Sequence, residues 1–138
     1  MENNLYFLAP VPDQENDVVV LCCVDLLHFD PSVLNRLFDE KNPDEAEEAV
    51  CRILEDIAMG LDLLQRGRAE SDLVAMAKPA RRIATVASQI GLSEVAMAAN
   101  HVTNCLDAAD GVALEATLAR LERGFDIAVS EIWNFREI

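Results

Sequence analysis

Few residues in this chain are of a kind that does covalent chemistry. There are two histidines, His28 and His101, and four cysteines, Cys22, Cys23, Cys51 and Cys105. An imidazole can carry a proton or a phosphoryl group near neutral pH, and a thiolate can attack an electrophile or hold zinc. The spacing supports neither use of the cysteines. None forms a C-x-x-C pair, and no histidine stands at zinc-finger distance from one. Cys22 and Cys23 are adjacent, so a bridge between them would strain the peptide, and all four read as reduced, buried thiols of an intracellular protein. A di-metal site of the bundle type takes Glu-x-x-His on two inward faces. Neither histidine has a glutamate three residues before it; Asp25 precedes His28 at that spacing, but only once. His28, in "LLHFDPS", reads as a packing or hydrogen-bonding residue ahead of a helix cap. His101 lies mid-helix beside the apolar Val102. The carboxylates between Asp39 and Asp56 follow a cap and fall on an outer helix face, which makes them solvated acids. There is no phosphate-cradling glycine loop, no H-E-x-x-H and no G-x-S-x-G. These readings predict no enzyme, no metal and no cofactor.

One cluster stands against the charge of the rest. The chain has 25 acidic and 11 basic residues, a formal net charge of -14. Within "KPARRIATVASQIGL", residues 78 to 92, Lys78, Arg81 and Arg82 fall within five positions. On a helix Lys78, Arg81, Arg82, Thr85 and Gln89 share a stripe. The plain reading is a solvated face that pairs with the protein's own acids; the functional reading is a docking face for an acidic partner. Nucleic acid and anionic lipid are poor partners for so acidic a surface.

The elements that position these residues are helical. The 138 residues suit one domain, and 51% of them are hydrophobic, enough for a core. Residues 1–16 show no period and read as an extended arm. Residues 17–27, "DVVVLCCVDLL", are ambiguous between strand and helix; no partner strand is evident, so a short buried helix is predicted. The apolar run within them is too short to span a membrane, and the N-terminus lacks the basic start of a signal peptide, so a cytoplasmic protein is expected. Asp30–Pro31 and Asn42–Pro43 are cap-and-first-turn pairs. After Asn42, apolar residues recur from Ala46 to Leu64 on one face, with Gly67 as the expected stop. A second helix is expected from about Glu70 to Ile90, with Leu73, Met76, Ala80, Ile83, Ala87 and Ile90 inward. Pro79 should kink it or restart it. Gly91 ends it and Ser93 caps the next. The last helix steps by fours and threes through Leu114, Leu118, Leu121, Phe125, Ala128, Ile132 and Phe135. Together these patterns predict an all-α, antiparallel four-helix bundle with additional short N-terminal helices over residues 17–138.

The order of elements, and the text "ARRIATVASQIGLSEVAMAANHVTNCLDAADGVALEATLARLE", resembles the histidine-containing phosphotransfer (HPt) domain of multistep phosphorelays. The likeness rests on the small residues Ala87 and Ser88, the Ile90-Gly91 pair, the Ser93 start and the short turn before the last helix, and covers about three quarters of the chain. With Gly91 setting the register, the resemblance puts the family's phosphoacceptor histidine at Arg81, its lysine at Ala84 and its glycine at Thr85. All three defining residues are replaced, and the helix contains no histidine. A guanidinium stays protonated and cannot be the nucleophile. The resemblance therefore implies the fold and the partner, a response-regulator receiver domain or a histidine kinase, while the sequence withdraws the reaction. Two alternatives stay open. One is a helical interaction or assembly module unrelated to phosphorelays, with a homodimer through an exposed apolar strip as one form. The other is an active phosphotransfer protein using His101, with Asn104 three residues on, or His28.

Overall fold

The computed structural model describes residues 29–137, and the side chains of residues 29–134. Among them the secondary structure is entirely helical: α1 Pro31–Glu40, α2 Pro43–Ala69, α3 Leu73–Gln89, α4 Ser93–Ala108 and α5 Gly111–Glu137. The arm and short helix expected before residue 28, with Cys22, Cys23 and His28, lie outside the described residues.

Side-chain caps set most of the starts. The Asp30 carboxylate accepts from the Ser32 amide at 3.0 Å and from the Ser32 hydroxyl at 2.7 Å, with Pro31 as the first helical residue. Asn42 Oδ1 accepts from the Glu45 amide at 2.8 Å, while its own Nδ2 donates to the Glu45 side chain, a reciprocal cap. Asp72 and Asp110 accept from the amides of Ala75 and Ala113, each at 3.1 Å. Ser93 departs from expectation. Leu92 holds the cap position of α4 with no side-chain bond, and the Ser93 hydroxyl turns back to the Gly91 carbonyl at 3.4 Å.

The ends of α2, α3 and α4 repeat one device. In each, a residue with positive φ (Ser71 at 56°, Gly91 at 77°, Ala109 at 54°) lets the next amide reach a carbonyl five residues back. The bonds are Asp72 to Gly67 at 2.8 Å, Leu92 to Ala87 at 2.9 Å and Asp110 to Cys105 at 3.1 Å. This is the Schellman closure, and glycine suits its left-handed residue best. Only Gly91 uses it, and there space also demands it. A Cβ on Gly91 would lie 3.0 Å from the Asp30 carbonyl and 3.1 Å from Val33 Cβ. The Asp30 amide donates to the Gly91 carbonyl at 2.8 Å, so the start of α1 is laid across the α3–α4 turn.

These short turns fold each helix back on its predecessor, and α2–α3, α3–α4 and α4–α5 pack as neighbours. Direction shows in the contacts. A Cβ on Gly60 would lie 2.8 Å from Ile83 Cγ1, and one on Gly67 would lie 2.6 Å from Met76 Cγ, so numbers rise along α2 as they fall along α3. Gly67 therefore does not stop α2, which runs on to Ala69. Glycine is there because the two helices approach too closely for a side chain. α5 meets the end of α2 through hydrogen bonds from Gln65 to Glu122 and from Arg68 to Glu115, again in antiparallel order.

Pro79 neither breaks nor restarts α3, which is continuous from Leu73. Packing explains it: Met76, Ala80 and Ile83 on either side of the proline are fully buried, which holds its first turns in helical geometry despite the missing amide. The apolar seams otherwise face inward as patterned, with Leu34, Ile57, Leu64, Met76, Ile83, Ile90, Leu114, Leu121 and Ile132 fully buried. Each such side chain contributes about 1.5–3 kcal/mol of burial. Leu73 is the exception, 38% exposed at the first position of α3, where no preceding turn covers it.

Candidate docking surface

No polar or charged residue is buried among the described residues. Among the described residues no three or more His, Cys, Asp or Glu side chains converge to hold a metal. No helix among them is long and apolar enough to cross a membrane.

Lys78, Arg81, Arg82, Thr85 and Gln89 are all exposed on α3. The stripe is not uniform. Arg82 turns towards α2 and pairs with Asp56 at 2.7 Å; the two side chains are 62% and 33% exposed, so the pair adds little stability but fixes where that guanidinium sits. Thr85 donates its hydroxyl to the Arg81 carbonyl at 3.1 Å, one turn back, and Ser88 does the same to Ala84 at 2.9 Å. Lys78, Arg81 and Gln89 make no side-chain hydrogen bond or ion pair among the described residues. So the cluster divides. Arg82 behaves as a cation paired with the protein's own acid, while Arg81 and Lys78 are exposed and have no partner among the described residues.

The other arginines of this side are engaged. Arg52 pairs with Glu48 and Arg66 with Asp62, both at 2.8 Å and one turn apart on α2, and Arg68 pairs with Glu115. Next to the basic stripe lies apolar surface. Met59 is 68% exposed and Leu63 45%, and both follow Asp56 at helical spacing on the side of α2 that faces Arg82. Val74, 86% exposed, continues the outer stripe of α3 one turn before Lys78.

The positions singled out by the resemblance are placed unequally. Arg81 and Thr85 face solvent, whereas Ala84 is half-buried and packs against the core. His101 is exposed on α4, and so is Asn104. The Asp30 carboxyl is held below the usual carboxylate value, first by the Ser32 hydroxyl and then by the Ser32 amide. Cys51 and Cys105 are half-buried free thiols, and the Thr117 hydroxyl lies 3.7 Å from Cys105 Sγ.

A second surface feature went unmarked in the sequence. A groove between α4 and α5 sets His101 and Met97 opposite Arg120, Arg123 and Ile127. Each helix alone shows only a mixed face; the pairing of the two faces is a tertiary fact.

Comparison with protein-family models, curated proteins and solved structures finds no match to this chain.

Proposed function

We propose that this chain is a four-helix bundle of HPt-like type that works in the cytoplasm as a non-phosphorylatable partner in two-component signalling. It docks a response-regulator receiver domain, or a histidine kinase, through the outer face of α3. The observation that carries the reading is Arg81, exposed and without a side-chain partner among the described residues, at the position where the HPt resemblance expects the phosphoacceptor histidine. A receiver presents a cluster of carboxylates around its phosphoacceptor aspartate. A guanidinium aimed into that cluster supplies attraction without nucleophilicity, since it stays protonated. Lys78 adds a second cation one turn away, and Val74, Met59 and Leu63 add apolar contact beside it. The half-buried Ala84 leaves no group to hold a phosphoryl oxygen, in keeping with binding that is not followed by transfer.

Titration calorimetry against receiver domains from the same cell tests this. Arg81→Glu should weaken binding at least about tenfold, about 1.4 kcal/mol, for a cation facing several carboxylates. Unchanged affinity would sink the proposal, as would acid-labile label on the wild type after incubation with phosphorylated receivers.

A second reading rests on Met59 and Leu63. Two large apolar side chains exposed on one face of α2 also suit an assembly surface, with a homodimer as the simplest product. Sedimentation analysis separates the two. A dimer that dissociates on Met59→Lys and Leu63→Lys, with no receiver binding, supports assembly in place of signalling.

A further inference from the structure

Three apolar side chains stand in water at one end of helices α2–α5. Leu73 opens α3 at 38% exposure, Val74 follows it at 86%, and Val112 in the first turn of α5 is 85% exposed. The two valines are the most exposed large apolar residues among those described. Nothing in their own helices calls for them. Valine is a poor helix former, and a first turn is better served by an acid that meets the helix dipole. A single exposed apolar residue needs no explanation, but several at one place mark a contact surface.

The fold makes them one place. The α2–α3 turn and the α4–α5 turn fall at the same end, and between them lies an open cavity of about 860 Å3. Ser71 and Leu73 line it from the first turn, and Ala109 and Val112 from the second. The charge around it is acidic. Glu70, Asp72, Asp107 and Asp110 are exposed, and each lines the cavity or is next in sequence to a residue that does. Asp72 and Asp110 cap α3 and α5. Glu70 and Asp107 make no side-chain hydrogen bond or ion pair among the described residues. The arginines of this end are already paired with the protein's own acids: Arg68, in the cavity wall, with Glu115, and Arg66 with Asp62. Apolar walls rimmed by carboxylates without partners are complementary to a segment that carries apolar side chains between lysines or arginines.

We infer that this end, between the α2–α3 and α4–α5 turns, docks a basic, apolar segment of another protein. Apolar side chains of the segment cover Leu73 and Val112, and its cations lie towards Glu70 and Asp107. Such a partner is opposite in charge to the one proposed for the outer face of α3, so the inference goes beyond docking at Arg81 and does not depend on it.

The test uses the full chain and, as probe, a dye-labelled helical peptide with lysines on one face and leucines on the other. Salt at about 0.15 M screens attraction to the protein's overall charge. Fluorescence anisotropy should show saturable binding, and the amide NMR shifts that the peptide causes should centre on residues 70–74 and 107–113. Glu70→Lys/Asp107→Lys should weaken binding at least about tenfold. Both lysines fall at the C-terminal ends of helices, where the dipole favours a cation, so this variant should fold. Glu55→Lys/Asp126→Lys makes the same change in net charge at exposed positions elsewhere and should leave binding nearly unchanged. Val112→Ser, with no change of charge, should also weaken it. No saturable binding, equal weakening by the two double variants, equal binding of a peptide with serine in place of leucine, or shifts centred on another face would each overturn the inference. Shifts of the same amides that grow with protein concentration in the absence of peptide would overturn it as well, assigning this end to a second copy.

Discussion

The same substitution, glycine to alanine, should act with opposite sign at two helical positions. Gly124 lies in the interior of α5, and nothing stands within 4 Å of an added Cβ. Alanine there gains helix propensity and narrows the unfolded ensemble, which together stabilise by about 0.5–1 kcal/mol. Gly60 lies in the interior of α2, so the propensity gain is the same. Its Cβ, however, would come within 2.8 Å of Ile83 Cγ1 and 3.0 Å of Cδ1, and Ile83 is fully buried. Ile83 can move only into packed neighbours, and overpacking of this kind costs about 1–3 kcal/mol. The net effect of Gly60→Ala is then a loss of about 1 kcal/mol, and the two variants should differ by about 2 kcal/mol. Equilibrium urea unfolding followed by circular dichroism reads this as a midpoint difference of about 1 M, taking a slope near 2 kcal/mol per M. Coincident slopes would show that the native state, and not the denatured ensemble, carries the effect. Stabilisation at both sites would refute the close approach of α2 to α3; destabilisation at both would refute the open surface over Gly124.

Three further outcomes are expected. Ala109→Gly and Ser71→Gly relieve left-handed backbone at exposed turns, so each should raise stability by about 0.5–1 kcal/mol in thermal unfolding, whereas Gly91→Ala should lower it because Asp30 and Val33 leave no room. Pro79→Ala restores the backbone N–H, and with it the helical hydrogen bond, that Pro79 lacks inside α3 and should stabilise by about 1–3 kcal/mol; no gain would mean that the ring's packing outweighs that hydrogen bond. The depressed pKa of Asp30 makes its contribution to stability fully present above the ordinary carboxylate pKa and lost as pH falls through the lower, folded value. Ser32→Ala removes the main cause, so the carboxyl should titrate closer to its ordinary value by NMR and the acid loss should begin at higher pH. An unchanged titration would refute the capping bond.

Legibility in the sequence followed the range of the physics. Cap residues and inward seams depend on neighbours three or four positions away, so Asp30, Asn42, the Gly91 stop and the seam of α5 from Leu114 to Ile132 could all be read from the text. Local rules misread Gly67, and of the kink or restart expected at Pro79 the restart does not occur. A glycine near a helix end looks like a stop and a proline inside one looks like a break, yet Gly67 makes room for Met76, and buried neighbours hold α3 through Pro79. The basic stripe on α3 was legible as a stripe. That Arg82 pairs with Asp56, while Arg81 and Lys78 have no partner among the described residues, depended on where α2 lies.

Composition and period by themselves determined helices through the described residues, an acidic surface and a basic stripe on α3, because each is a property of residue type or of spacing along one helix. Only the tertiary structure decided which faces meet. The α2–α3 approach at Gly60 and Gly67, and the groove that sets Met97 and His101 against Arg120, Arg123 and Ile127, join residues 9 to 30 positions apart in the sequence, through contacts that no single helix contains.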